Sequence, residues 1–196
     1  PLWAPGGDRG LYKTTDGGKT WNAVLTIDEN TGVTDVVMDP RDPDTLVAAS
    51  YQRRRHVFTL IDGGPGSGVH KTTDGGKTWK KVTSGLPKEE MGRIGLAIAP
   101  TEPDTLYALV ETAAANKAGG TFRSTNRGES WEKRSGHSTS GNYYSEIFAD
   151  PHQFDRIYSM DTFLQVSDDG GKAFRGLGEK AKHVDNHAMW IDPRDS

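Results

Sequence analysis

Two alternating turn motifs, blade-length spacing between them and a turn-dense composition together predict an all-β chain. The predicted architecture is a β-propeller of four-stranded antiparallel blades, present as an incomplete arc of about three full blades and two partial ones. The first motif recurs four times. Lys13-Thr14-Thr15-Asp16-Gly17-Gly18-Lys19-Thr20-Trp21 returns unchanged at 71–79, more loosely at 123–131, and again at 166–174. All four copies fit Ser/Thr-x-Asp/Asn-x-Gly-x-x-aromatic. The second motif alternates with the first: Val37-Met38-Asp39-Pro40-Arg41-Asp42-Pro43-Asp44-Thr45-Leu46, Ile98 to Tyr107, and more weakly Ala149 to Tyr158 and Ile191 to Asp195. Pro40, Pro100, Pro151 and Pro193 follow one another at 60, 51 and 42 residues, the length of one propeller blade each.

Composition agrees. The chain of 196 residues carries 24 glycines and 10 prolines, above the usual combined background of about 12%. Glycine supplies positive φ and proline presets the turn value of φ, so the excess marks turns. A net charge of −3 without a basic run argues against nucleic acid as partner. No apolar run is long enough to span a bilayer, and no leader-like segment opens the chain. The absence of cysteine excludes disulfides and thiolate chemistry.

Taken in order, residues 1–25 read as the last two strands of a preceding blade. Residues 33–83 form the first full blade, lengthened by an insertion from Tyr51 to Ser67. Val57, Phe58, Leu60 and Ile61 predict that this insertion packs or pairs. Residues 92–134 form the second blade. Its first strand, Ile94-Gly95-Leu96-Ala97-Ile98-Ala99, alternates large and tiny residues. Gly95 and Ala97 are expected where a neighbouring sheet approaches, with Leu96 and Ile98 filling the space between blades. Strands over 105–110, 120–123 and 130–134 follow, and 111–120 reads as a polar loop. Residues 144–176 form the third blade, and 187–196 hold the first strand of a further one, at Ala188 to Ile191.

The first motif is a folding device. Its Ser/Thr hydroxyl and Asx side chain can accept hydrogen bonds from turn N–H groups. Its glycine takes a left-handed conformation that costs other residues about 1–2 kcal/mol, and its aromatic ring is expected between sheets. The residues so assigned are Thr14, Asp16, Gly18 and Trp21; Thr72, Asp74, Gly76 and Trp79; Ser124, Asn126, Gly128 and Trp131; and Ser167, Asp169, Gly171 and Phe174.

These motifs resemble the Asp-box, or bacterial neuraminidase repeat, superfamily of β-propellers, which includes sialidases, xyloglucan-cleaving endoglucanases, sortilin-type receptors and a photosystem assembly factor. The pairing with Asp-Pro-x-x-Pro-Asp-x-Leu looks most like large sortilin-like bacterial proteins often labelled glycosyl hydrolases. Asn126 and Phe174 depart from the pattern without removing its turn chemistry. The resemblance implies six or more blades, supplied by the rest of a longer polypeptide or by partner chains, and an extracytoplasmic location. It implies enzymes and binders alike.

In propellers, ligands meet the face where the innermost strands begin. This nominates Thr34-Asp35, Arg93, Tyr143-Tyr144 with Glu146, and the run from His183 to His187. On a strand, His183, Asp185 and His187 would project to one side, where they could hold a divalent metal; otherwise no cofactor is expected. Their plainer role is to line a channel. A glycosidase would draw paired carboxylates from Asp35, Glu146 and Asp185, with Tyr143 or Tyr144 beside Glu146. The alternative is that these acids only solvate the channel. Arg53, Arg54 and Arg55 could grip an anion or brace neighbouring parts. The first function expected is a module recognising protein, peptide or glycan; the alternative is a glycoside hydrolase; a third is a structural or assembly role.

Overall fold

The computed structural model describes residues 3–113, 117–178 and 180–195. Residues 1, 2 and 196 of the expected end blades and 114–116 of the expected loop lie outside the described residues. Four antiparallel sheets follow one another along the chain, and no helix occurs among the described residues. A two-stranded sheet pairs β1 (Leu11–Lys13) with β2 (Asn22–Leu25). The next sheet has the order β3-β4-β6-β7, from β3 (Thr31–Asp39), β4 (Asp42–Arg55), β6 (Gly68–Thr72) and β7 (Lys80–Val82). β5 (Leu60–Asp62) pairs with the far end of β4. The third sheet runs β8 (Met91–Ile98), β9 (Leu106–Thr112), β10 (Gly120–Ser124) and β11 (Glu132–Ser135). The fourth runs β12 (Ile147–Ala149), β13 (Ile157–Ser159), β14 (Gln165–Ser167) and β15 (Arg175–Gly176).

The third sheet is apolar on both faces because it is sandwiched between neighbours, and β9 displays this with period two. Leu106, Ala108 and Val110 join a core with Val47, Val69, Ile94, Leu96, Phe122 and Trp131, between the second and third sheets. Tyr107 and Leu109 face the other way, into a core with Ala97, Ile147 and Ile157 between the third and fourth sheets. The expectation for β8 holds in detail. A Cβ at Gly95 would stand 1.6 Å from the Ser145 carbonyl oxygen, so only glycine admits the neighbouring strand at this distance.

The Asp-box turns use one hydrogen-bond scheme. The hydroxyls of Thr14, Thr72, Ser124 and Ser167 accept the N–H of Gly18, Gly76, Gly128 and Gly171 at 2.9, 3.1, 2.9 and 2.9 Å. The same hydroxyls donate to Asp16, Asp74, Asn126 and Asp169. Those Asx oxygens accept the N–H of Thr20, Thr78, Ser130 and Ala173 in turn. Asn126 preserves the scheme, its amide donating to the Ser130 hydroxyl where aspartate accepts. Two successive residues are left-handed in every box; in the third, Arg127 takes φ 60° where the other copies have glycine.

The two motifs alternate because they bind each other. The Asp44, Asp104 and Asp155 carbonyls of the Asp-Pro turns accept the N–H of Gly75, Arg127 and Gly170 of the boxes, at 2.9, 2.9 and 2.8 Å. The leading aspartate caps its own turn: Asp39, Asp150 and Asp192 accept the N–H two residues on. Arg127 adds a lock between sheets. Its guanidinium reaches Asp39 at 2.8 Å and Asp42 at 3.3 Å, while Arg41 joins Asp39 to Asp104.

Two expectations fail. Residues 187–195 contain no strand; among the described residues Ala188 to Ile191 has no neighbouring strand to complete a ladder, and an extended segment without a ladder is not a strand. The box aromatics are not all buried. Trp131 is 5% exposed, whereas Trp21 is 59% exposed because no described sheet covers its side.

Candidate functional site

The inner strands of the three larger sheets, β3, β8 and β12, lie beside one another. Two of them break register near the expected face. β3 shifts between Val33 and Asp35, leaving Thr34 unopposed, and β8 shifts between Met91 and Ile94, placing Arg93 in the irregular stretch. Such bulges bend a strand and re-aim its side chains. Thr34 and Arg93 line a cleft of about 440 Å³, together with Arg9, Gly32, Tyr51, Arg53 and Asn142. The Arg53 guanidinium donates to Asn142 Oδ1 at 2.5 Å, and its Nε is buried without a partner.

Carboxylates stand behind this lining. Arg93 Nη2 pairs with Glu146 Oε1 at 2.5 Å, both side chains about a quarter exposed, and Glu146 Oε2 is buried without a hydrogen bond. Asp35 accepts the N–H of Leu96 and of Val36, each at 2.8 Å. Burial raises its pKa; the two N–H groups and Arg93 oppose this, while the Glu146 charge adds to it. Three nominated residues from three successive sheets, Asp35, Arg93 and Glu146, are therefore brought together.

Glu111 and Asp62, neither of them nominated, also belong here. Glu111 accepts the N–H of Arg93 at 3.3 Å and of Gly141 at 3.2 Å; its pKa is raised by burial and then by Asp62. Burial raises Asp62 as well, and the Tyr51 hydroxyl donates to it. No sequence signal distinguished these two acids, since both depend on pairing across strands. Arg9, Tyr51 and Asn142 were missed for the same reason.

The remaining nominees lie elsewhere. Alternation along β4 turns Arg54 to the face opposite Arg53, and Arg55, two residues further along the strand, lies over Trp3, 5.9 Å from the ring centroid, outside the cleft lining. Tyr143 is exposed. Asp185 belongs to a separate group: it accepts the Tyr144 hydroxyl at 2.6 Å and pairs with His187 Nε2 at 3.1 Å, and the Tyr144 and His187 rings stack at 5.0 Å. The Tyr144 hydrogen bond leads the causes that lower the Asp185 pKa.

The expected His183-Asp185-His187 metal set does not assemble. The backbone turns at Asp185, with φ 85°, so alternation of faces does not apply, and His183 Nδ1 meets the Val184 carbonyl instead. Among the described residues no three His, Asp or Glu side chains are grouped to hold a metal.

A family model described as sortilin, neurotensin receptor 3 (Sortilin-Vps10) matches residues 9–153. The probable oligoxyloglucan-reducing end-specific xyloglucanase of Neosartorya fischeri is 24% identical over 152 residues, which is 75% of this chain and 17% of that protein. Among solved structures, the GH74 xyloglucanase from Xanthomonas campestris matches with a TM-score of 0.62 at 20% identity, over 91% of this chain and 28% of the other. YCF48 bound to D1 peptide matches with a TM-score of 0.54 at 14% identity, over 92% and 47%. The chain thus spans less than half the length of each of these relatives, and the structural likenesses establish the fold. With both turn motifs and the sheet order in place, the chain belongs to the Sortilin-Vps10 family of Asp-box β-propellers.

Proposed function

We propose that this chain is a binding module that captures an acidic group of a protein, peptide or glycan in the inner cleft. One observation carries the reading: the cleft is lined by Arg9, Arg53, Arg93, Tyr51, Asn142, Thr34 and Gly32 and, among the described residues, by no carboxylate. A glycosidase needs two carboxyl groups flanking its scissile bond. Here Asp35 is tied to two backbone N–H groups and Glu146 to Arg93, behind the lining rather than on it. Guanidinium groups match the geometry of carboxylate and other oxyanions.

A second reading, hydrolysis of the xyloglucanase type, draws on one specific observation. Asp35, with its raised pKa, shares Arg93 with Glu146, and pairs of acids in unequal environments divide acid and base roles. The binding proposal extends to an extracytoplasmic location, supported by the Asp-box resemblance. It also extends to further blades from the same polypeptide or partner chains, supported by the exposure of Trp21, Val36 and Met38 on the open side of the arc.

The test combines a glutamate-rich fluorescent peptide, followed by anisotropy, with reducing-sugar release from xyloglucan. Binding of the peptide, weakened about tenfold by Arg53→Ala, and no sugar release are expected. Sugar release abolished by Glu146→Gln would replace this reading with the hydrolase.

A further inference from the structure

The insertion in the first large sheet forms a finger. β4 continues past its sheet and pairs with β5 through Arg53/Asp62, Arg54/Ile61 and Arg55/Leu60. A tight turn closes the end, with the His56 N–H donating to the Thr59 carbonyl at 2.7 Å. Its two central residues are Val57 and Phe58, exposed by 81% and 99%. Asparagine, aspartate or glycine usually occupies such a position. Neither residue has positive φ, so the backbone demands no special side chain, and two apolar groups stand where they stabilise nothing within the chain.

Beneath the apex lies a basic collar. Between Tyr51 and Ile61 the sequence holds Arg53, Arg54, Arg55 and His56 and no acidic residue, in a chain whose net charge is −3. The next acid, Asp62, is held by the Tyr51 hydroxyl. Trp3 lies against Arg55 and is itself 57% exposed. Arg53 turns to the cleft and Asn142, which leaves Arg54 and Arg55 on opposite faces of the finger. An apolar apex, two flanking arginines and an amphipathic aromatic match the layers met on approach to an anionic bilayer: charged headgroups attract cations, and the zone beneath accepts apolar side chains. The apex is convex and only two residues wide, which suits a deformable lipid phase better than a rigid protein surface.

We infer that the Val57–Phe58 finger is a peripheral membrane contact that docks the protein on anionic lipid. The contact is independent of the cleft, because Arg54, Arg55 and Phe58 do not line it.

The test is co-sedimentation of the purified full-length protein with vesicles of phosphatidylcholine, alone or with phosphatidylserine. The protein is expected to sediment with the serine-containing vesicles and to dissociate in high salt. Phe58→Ser lowers the partition coefficient about tenfold. The double change Arg54→Gln/Arg55→Gln lowers it about 25-fold, from about 1 kcal/mol per basic residue near an anionic surface. Each variant should keep wild-type thermal stability and wild-type binding of the acidic peptide. No sedimentation with either vesicle, or equal sedimentation of wild type and Phe58→Ser, overturns the inference and leaves the finger as a protein contact.

Discussion

Replacing Asp39 with asparagine should weaken the junction between the second and third sheets. The Asp39 side chain is 3% exposed and accepts from the Arg41 N–H and from both the Arg41 and Arg127 guanidinium groups. These donors hold its carboxyl well below the usual carboxylate range, with the Arg41 side chain contributing most. An asparagine amide has one accepting oxygen and turns an N–H₂ group towards cations. Removing one partner of a fully buried pair costs about 3–5 kcal/mol. The Arg41 and Arg127 side chains are 48% and 38% exposed, so water recovers part of their solvation, and a loss of about 2 kcal/mol is expected. Arg127 also holds a left-handed φ that its ion pairs help maintain.

The assay is urea unfolding of wild type and Asp39→Asn between pH 7 and pH 2. The midpoint of the variant should fall at pH 7 with little change in slope. A carboxyl whose folded pKa is depressed stabilises the fold fully above its unfolded pKa of about 3.9 and loses that contribution as pH falls towards the folded value. The two proteins should therefore converge below pH 4. A difference under about 0.5 kcal/mol at pH 7, or one that persists unchanged at pH 2, would refute the reasoning.

Two further outcomes are expected. Gly95→Ala drives a methyl group into the Ser145 carbonyl and should cost about 3 kcal/mol, read as a lower thermal midpoint, whereas Gly136→Ala, which meets nothing within 4 Å, should cost under about 1 kcal/mol. His70 is buried against the Ser50 hydroxyl, and burial lowers its pKa to about 4; the neutral form stabilises the fold above about pH 6.5. Stability should fall between pH 6.5 and 4, and His70→Gln should flatten that part of the profile measured by urea unfolding.

The blades were legible because their determinants are local. A box hydroxyl and its glycine N–H stand four residues apart, so Thr14, Thr72, Ser124 and Ser167 announce the turn within one short window. The alternation of Leu106 to Val110 is equally local, and it separates the two cores. The cleft was legible only in part. Arg93, Asp35 and Glu146 follow from the place where inner strands begin, but Glu111 and Asp62 enter through cross-strand register that no spacing reveals. The bulges at Thr34 and Arg93 decide which side chains face the cleft, and nothing in Val33-Thr34-Asp35 marks a break. His-x-Asp-x-His misled for the converse reason: the two-residue spacing implies one face only where a ladder holds the backbone extended, and residues 183–187 have none.

The hydrogen bond between each Asp-Pro turn and its box joins residue pairs 44/75, 104/127 and 155/170, progressively closer in sequence along the chain. The fastening keeps its length of 2.8 to 2.9 Å while the separation it closes falls from 31 residues to 15. Whatever is inserted between the second and third strands emerges at the opposite end and leaves the closure undisturbed. A blade of this design is a socket. New loops, such as the finger at Val57 and Phe58, can be added, lengthened or exchanged without retuning the sheet that carries them, so recognition can diversify while the scaffold stays fixed.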